Sequence, residues 1–417
     1  PPVALRRVDR RRTSPRAAVT TRFVNGSFPN GSPAELLADR GVFTSDTADV
    51  TEEVDLAGRL VLPAFGEPHA HLDKSMLAER FPNPTGDLLG AIEIMKMGWA
   101  TIDEDDVIKR ATATVRRLVA SGTTLIRSHA DTNVYAGLKA IRSLLAVRVA
   151  VEPLCDLEVV AMAYPLTGPE GSEGRRILDQ AIELGADVIG GAPHLEDDPG
   201  SAIDHLLNLA VETRLHVDLH VDEILDPGYD TLRHLSRAVT RHGLEGTVNA
   251  SHCVSHGLKS EEEQQAIATE VAHADISVVA LPRTNLYLQA RGRVQAPPRG
   301  TVGVESMRRA GVTVGGGADN CQDPFYSIGR CDPLETASLL MSVCHRTPEE
   351  AFEMVTNEVR TIASRPLLDF KPGSPADFVA IDASSIRAAI ADQPAGRTVV
   401  HRGRVVASTT VDTWVAD

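Results

Sequence analysis

From about residue 60 onward, short β-rich runs alternate with amphipathic helical runs, and this alternation limits the possible folds more than any other feature. Candidate strands are RLVLPAFGEPHAH (59–71), TTLIRSHA (123–130), LEVVAMAY (157–164), DVIGGAP (187–193), HVDLHVD (216–222), TVNASHC (247–253), ISVVALP (276–282) and VTVGGGAD (312–319). Between them, segments such as DEDDVIKRATATVRRLVASG, GRRILDQAIELGA, SAIDHLLNLAVETR and YDTLRHLSRAVTRHG recur in apolar residues with helical period, with Gly or Asp/Asn at their ends. Strands that alternate with helices pair in parallel, and eight such units are the count that closes a (β/α)8 barrel. The strands read as near-continuous apolar runs, as expected of a sheet buried on both faces.

The two ends differ from the middle. KPGSPADFVAIDA (371–383) and GRTVVHRGRVVAS (396–408) read as strands joined by turns with no helical partner, and DLAGRLVL (55–62) as strand–turn–strand. A small β-domain built from both chain ends is expected, with residues 1–62 and 366–417 flanking a barrel over 63–365. Residues 1–50 show no pattern that assigns strands. Arg6, Arg7, Arg10, Arg11 and Arg12 read as a solvated basic arm, because no apolar stretch of a secretory leader follows them.

Composition excludes several classes of partner. The net charge of −15 argues against nucleic acid and anionic membranes, whose phosphates call for clustered Lys and Arg. No apolar run approaches the roughly 20 residues of a spanning helix. The 5 cysteines include no CxxC pair and read as reduced thiols of a cytoplasmic protein. The expected partner is a small molecule, and a homo-oligomer is compatible with the sequence.

In a barrel of this type, reactive groups sit at the C-terminal ends of the strands. Here those ends carry His69 and His71, His129 and Asp131, His220 with Asp222 and Glu223, Ser251 and His252, and Asp319. Residues i and i+2 share a strand face, so His69 and His71 can both address one ion. His220 and Asp319 complete a three-nitrogen, one-oxygen set that suits a borderline divalent metal with a position left for water. Binuclear sites in such barrels usually use a carboxylated Lys on the fourth strand. No Lys occurs from 140 to 258, so one ion per chain is expected. Such an ion acidifies its water. Asp319 can then take the water proton, Glu223 can carry a proton to the leaving nitrogen, and His252 can either polarise the substituent on the electrophilic carbon or hydrogen-bond the hydroxide. GGG (315–317) lacks the helix start and Lys of a phosphate loop and reads as allowing close backbone packing beneath the metal.

These residues resemble the amidohydrolase superfamily, specifically its cytosine deaminase-like branch. The resemblance runs from about residue 55 to the end, on LVLPAFGEPHAHLDK, SHADT, LGADVIGGAPHLE, HVDLHVDE, NASHC, LPRTNLYLQARGR and GADNCQDPFYSIGRCDPLE. It implies His69, His71, His220 and Asp319 as metal ligands, Glu223 as proton shuttle and His252 as the residue orienting water. It also implies iron or zinc, and hydrolytic release of ammonia or an amine from a ring carbon.

Three departures bear on the substrate. Where cytosine deaminases carry a Gln that reads the pyrimidine edge, AYPLTG places Leu166 or Thr167. The family's His-Asp-Asp becomes Ala318-Asp319-Asn320, and the first fifty residues lack the usual opening strands. Cytosine itself is therefore not the expected substrate. Lys74, Leu166, Arg283 and Asn320 are the candidate substrate contacts, with His129 and Asp131 as partners of the ligands. The leading expectation is a mononuclear metal-dependent hydrolase that deaminates a small nitrogen heterocycle. Behind it stand an N-dealkylating or cyclic-amide-opening amidohydrolase and, last, a catalytically inactive barrel scaffold.

Overall fold

The computed structural model describes residues 20–47 and 50–416; the arginine-rich arm expected near the start of the chain lies outside them. Two sheets of eight strands organise the molecule. The first comprises β1 (Thr20–Ser27), β2 (Pro33–Asp39), β3 (Val42–Phe43), β4 (Val50–Asp55) and β5 (Leu60–Pro63). The second comprises β6 (Phe65–Ala70), β7 (Thr123–Asp131), β8 (Asp156–Ala163), β9 (Val188–Gly191), β10 (His216–Val221), β11 (Val248–His252), β12 (Ser277–Ala280) and β13 (Val314–Gly316). The chain then returns to the first sheet with β14 (Phe378–Ile381), β15 (Arg397–His401) and β16 (Arg404–Thr409).

β6 to β13 pair in parallel in sequence order and form the expected barrel. Its seam closes at a parallel bridge between Ala70 and Asp319. There the Asp319 amide donates to the His69 carbonyl at 2.9 Å and the His71 amide to the Asp319 carbonyl at 3.2 Å. Helices cover the barrel because their apolar stripes match it. In Glu104–Ala120, for example, Val107, Ala111, Thr114, Val115, Leu118 and Val119 face inward, and Asp103 caps the start through the Asp106 amide. No helix among the described residues is long and apolar enough to cross a membrane.

The glycines at the end of β13 make room for side chains rather than for backbone. A Cβ on Gly315 would lie 2.5 Å from Ile362 Cδ1, and one on Gly316 2.6 Å from Leu340 Cδ1, both on helices packed outside the barrel.

The first sheet differs from the sequence expectation in two respects. Four strands, β1 to β4, lie within the first 55 residues, where no pattern had marked them. β4 (VTEEVD) is almost wholly exposed, so it carries no apolar alternation, and only its parallel pairing with β1 defines it. A short helix, Ile386–Asp392, capped by Ser385, also separates β14 from β15, where turns alone were expected. The sheet order β16-β15-β14-β5-β1-β2-β3 interleaves the two chain ends. Phe23, Phe43 and Phe378 form its aromatic core, with Phe23 and Phe378 edge-to-face at 4.9 Å.

Arg397 on β15 ties this sheet to the barrel. Its guanidinium bonds both oxygens of Asp332, at 3.0 and 2.8 Å, and donates to the Ser121 carbonyl at 2.6 Å. Both partners are buried, so removing one strands a charge without water. Arg397→Ala is expected to cost about 3–5 kcal/mol, read as a lowered urea midpoint; an unchanged midpoint would show that this tie contributes nothing.

Candidate metal centre and active-site pocket

The strand ends bring His69, His71, His220, His252 and Asp319 to one point on the barrel rim. His69 lies on β6 and His71 just beyond it, His220 on β10, His252 at the end of β11, and Asp319 three residues past β13. The Nε2 atoms of His69 and His71 each lie 3.1 Å from His220 Nε2. Asp319 Oδ1 is 3.4 Å from His71 Nε2 and 3.8 Å from His69 Nε2. His252 Nε2 faces Asp319 Oδ2 at 3.9 Å. His252 and Asp319 hold left-handed backbone, φ +69° and +64°, which non-glycine residues adopt at a cost and which clusters at functional sites.

Hydrogen-bond logic fixes what these nitrogens offer. Ser251 Oγ lies 3.2 Å from Asp218 Oδ1 and gives its only hydrogen to that carboxylate, so it accepts from His69 Nδ1 at 2.9 Å. The Nε2 of neutral His69 is then a bare lone pair aimed at His220. His220 Nε2, at 3.1 Å from two other ring nitrogens, cannot satisfy both with one proton. A cation satisfies all of them. Ligands bound at about 2.0–2.1 Å in a tetrahedron stand about 3.4 Å apart, close to the spacings seen. Burial holds His69, His71 and His220 well below the usual imidazole range, and the neighbouring imidazoles push the same way, so the donors are neutral, as metal ligands must be. The residues present fit a divalent ion. Burial also pushes Asp319 well above the usual carboxylate range, with the carboxylates of Glu223, Asp323 and Glu67 adding to the rise, so this cluster needs positive charge.

A ladder of charges, buried except at its outer end Arg365, braces the centre from beneath. Arg127 donates to Asp218 Oδ2 at 2.8 Å and to Glu158 Oε2 at 2.9 Å, and Arg365 donates to Glu158 Oε1 at 2.9 Å. Glu67 accepts the amides of His69 at 3.1 Å and Ala318 at 2.9 Å, one from each side of the seam. The His129 ring packs over His69 with centroids 4.0 Å apart, and its Nε2 lies 3.7 Å from Asp218 Oδ1. His252 Nδ1 donates to Asn285 Oδ1 at 3.0 Å, which leaves its Nε2 as an acceptor toward Asp319. Burial lowers His252 to about 3, keeping the ring neutral.

The centre opens into a cavity lined by His71, His220, His252, Asp319, Glu223, Lys74, Asp131, Asn320, Tyr164 and His194 on its polar side. Leu88, Ile92, Met162, Leu195 and Phe325 form much of its apolar wall. Glu223 is buried, with Oε1 3.5 Å from His252 Nδ1, and burial raises it to about 8, so it carries a proton at neutral pH. Lys74 Nζ donates to Asp131 Oδ1 at 2.7 Å and to Asp73 Oδ2 at 3.4 Å, and Trp99 Nε1 donates to Asp131 Oδ2 at 3.1 Å. Burial opposes the Lys74 charge, but the carboxylates of Asp131 and Asp73 outweigh it and keep the ammonium charged.

Of the four expected substrate contacts, Lys74 and Asn320 lie on this cavity and two lie elsewhere. Arg283 is 1% exposed, 2.9 Å from Glu335 Oε2 and 5.4 Å from the Tyr326 ring, so its charge is spent inside the fold. Leu166 is 1% exposed and outside the cavity lining, its amide donating to the Glu196 carboxylate at 2.8 Å. Beside it, Met162 and Tyr164 at the end of β8 form the wall instead. His194, Tyr164 and Met162 went unmarked because each reads as core; the alternating inward face of β8 at 160, 162 and 164 was the available signal for two of them.

A parallel barrel with a histidine–aspartate centre on its rim defines a metal-dependent hydrolase. The Amidohydrolase family model matches residues 76–407. The chain is 32% identical over 362 residues to a pterin deaminase of Rhizobium rhizogenes, covering 85% of this chain and 82% of that protein. It is 26% identical to the N-isopropylammelide isopropyl amidohydrolase of Pseudomonas sp. strain ADP, over 86% of this chain and 88% of that one. The solved structure of 5-methylcytosine deaminase from Klebsiella pneumoniae liganded with 5-fluorocytosine superposes with TM-score 0.85 and 28% identity, over 95% of this chain and 99% of that one. The chain belongs to the amidohydrolase family, in its cytosine deaminase-like branch.

Ser251→Ala removes the acceptor that fixes the His69 tautomer. It is expected to loosen metal binding by about 10–100-fold in chelator competition; an unchanged affinity would detach Ser251 and Asp218 from the centre.

Proposed function

We propose that the chain is a mononuclear metal-dependent hydrolase that deaminates a small nitrogen heterocycle, releasing ammonia from a ring carbon. The observation that carries this reading is the convergence of His69, His71, His220 and Asp319 on one point, at a cavity that a buried, protonated Glu223 lines with His71, His220 and Asp319. The relatives support it: two of those named act as deaminases of pterin and of 5-methylcytosine. His69, His71, His220 and Asp319 would hold one ion, zinc or iron. When bound, it supplies an acidified water and polarises the ring carbon.

The chain's own groups do the rest. His252 Nε2, an acceptor because Nδ1 is committed to Asn285, takes a hydrogen bond from the attacking water and aligns it. Asp319 Oδ2, facing that nitrogen, accepts the water proton. Glu223 gives its proton to the amino nitrogen as the C–N bond breaks and ammonia leaves; the hydrogen of the added hydroxyl passes to the adjacent ring nitrogen, leaving a carbonyl, and the proton on Asp319 returns to Glu223. Lys74 and Asn320 present donors to the ring.

A second reading keeps the centre and replaces ammonia by an alkylamine. It is favoured by the apolar wall of Leu88, Ile92, Met162, Leu195 and Phe325, which can take an alkyl group, and by the similarity to the N-isopropylammelide enzyme. An inactive scaffold is disfavoured, because the candidate ligands meet at one point and His71, His220, Asp319, Glu223 and His252 all line the same cavity.

Ammonia and amine release by zinc- or iron-loaded protein, measured across aminated pyrimidines, pteridines and triazines, decides between the readings. Glu223→Gln is expected to retain metal while slowing turnover by about 10²–10⁴-fold; full activity would remove its role as acid. His220→Ala is expected to lose most bound metal by elemental analysis, and unchanged content would move the site elsewhere.

A further inference from the structure

His194 lies in the short turn Pro193–Leu195 that follows β9, 7% exposed, with its ring on the cavity wall. Its Nδ1 is 3.1 Å from the His220 carbonyl oxygen. A carbonyl only accepts, so Nδ1 carries the hydrogen and the tautomer is set by the backbone of a strand that also carries a candidate metal ligand. Nε2 is left as a buried lone pair with no hydrogen-bond partner among the described residues. An unmatched buried acceptor costs about 1–3 kcal/mol, so a group on the wall of a binding cavity that keeps one is matched by whatever fills the cavity.

Lys74 offers the opposite polarity in the same cavity. Of the three hydrogens on its ammonium, two are directed to Asp131 and Asp73, which leaves one donor for a ligand.

We propose that His194 Nε2 accepts a hydrogen bond from a ring N–H of the substrate while Lys74 donates to a ring carbonyl, so that His194 discriminates rings bearing that N–H from their N-alkylated forms. This rests on the deamination reading above and narrows it. His194 is then a residue that determines specificity. A ring whose N–H is replaced by N–CH3 leaves the lone pair unmatched and is rejected.

The test is binding, measured by calorimetry on the zinc-loaded full chain carrying Glu223→Gln, so that turnover does not consume the ring. The probes are 2-amino-4-oxopyrimidine and 2-amino-4-oxopteridine, each beside its N3-methyl derivative. At least one N–H ring is expected to bind about 10-fold or more tighter than its methylated partner. Adding His194→Phe, which keeps a ring of similar bulk without the acceptor, should bring that ratio to within about 2-fold at unchanged zinc content. His194→Gln, which restores an oxygen acceptor, should recover part of it. A ratio that persists in His194→Phe means a steric clash and overturns the proposal. So do equal binding of both forms and failure of every ring to bind. If Phe displaces zinc, the Gln variant and the ratio with His194 intact decide. Ammonia release by the protein with Glu223 and His194 intact is scored separately. A His194-dependent ratio without ammonia keeps the inference and removes the deamination; ammonia without such a ratio does the reverse.

Discussion

Burying several neutral imidazoles and a carboxylate at one point on a barrel rim is the constraint on which the rest of the structure turns. His69, His71 and His220 are dehydrated, aim lone pairs at one another, and cannot all be satisfied by protons. Protonating them is opposed by burial and by their mutual repulsion. The arrangement persists without collapse because a rigid frame holds each ring, and that frame extends well beyond the rings.

Two features of the frame stand out. The barrel seam is the site: the bridge that pairs Ala70 with Asp319 joins the first and last strands and sets His69, His71 and Asp319 side by side. Glu67 clamps both sides of that seam through the amides of His69 and Ala318. Beneath it, alternating charges from Arg365 through Glu158, Arg127 and Asp218 end on Ser251 and so on the His69 tautomer. A buried chain of this kind contributes little net stability, since desolvation offsets the Coulomb gain. Its effect is orientation, and the Nε2 of His69 points where a metal needs it.

Much of this was legible in the sequence. The eight barrel strands match the β-rich runs, with β7 and β8 overrunning them by one residue, because strands buried on both faces are mostly apolar. The rim residues were legible because the fold class places chemistry at strand ends. The opening strands were not, since β4 is polar and exposed and exists only through pairing with β1, a contact between residues 31 or so apart. Arg283 misled for a related reason. After a strand end, a guanidinium that reads a ligand and one that bonds a neighbouring helix look the same, and only the position of Glu335 separates them.

By itself the sequence determined the class of fold, the donor types at the rim and the family, because periodicity and residue chemistry are local properties. Tertiary structure decided which of those donors meet, and which faces of them are free. The His69 tautomer depends on Ser251, 182 positions away, the His252 tautomer on Asn285, and the His194 lone pair on a carbonyl of β10. A histidine's chemistry lies in which nitrogen holds the hydrogen, and that is settled by partners that only the closed barrel brings within 3 Å or so.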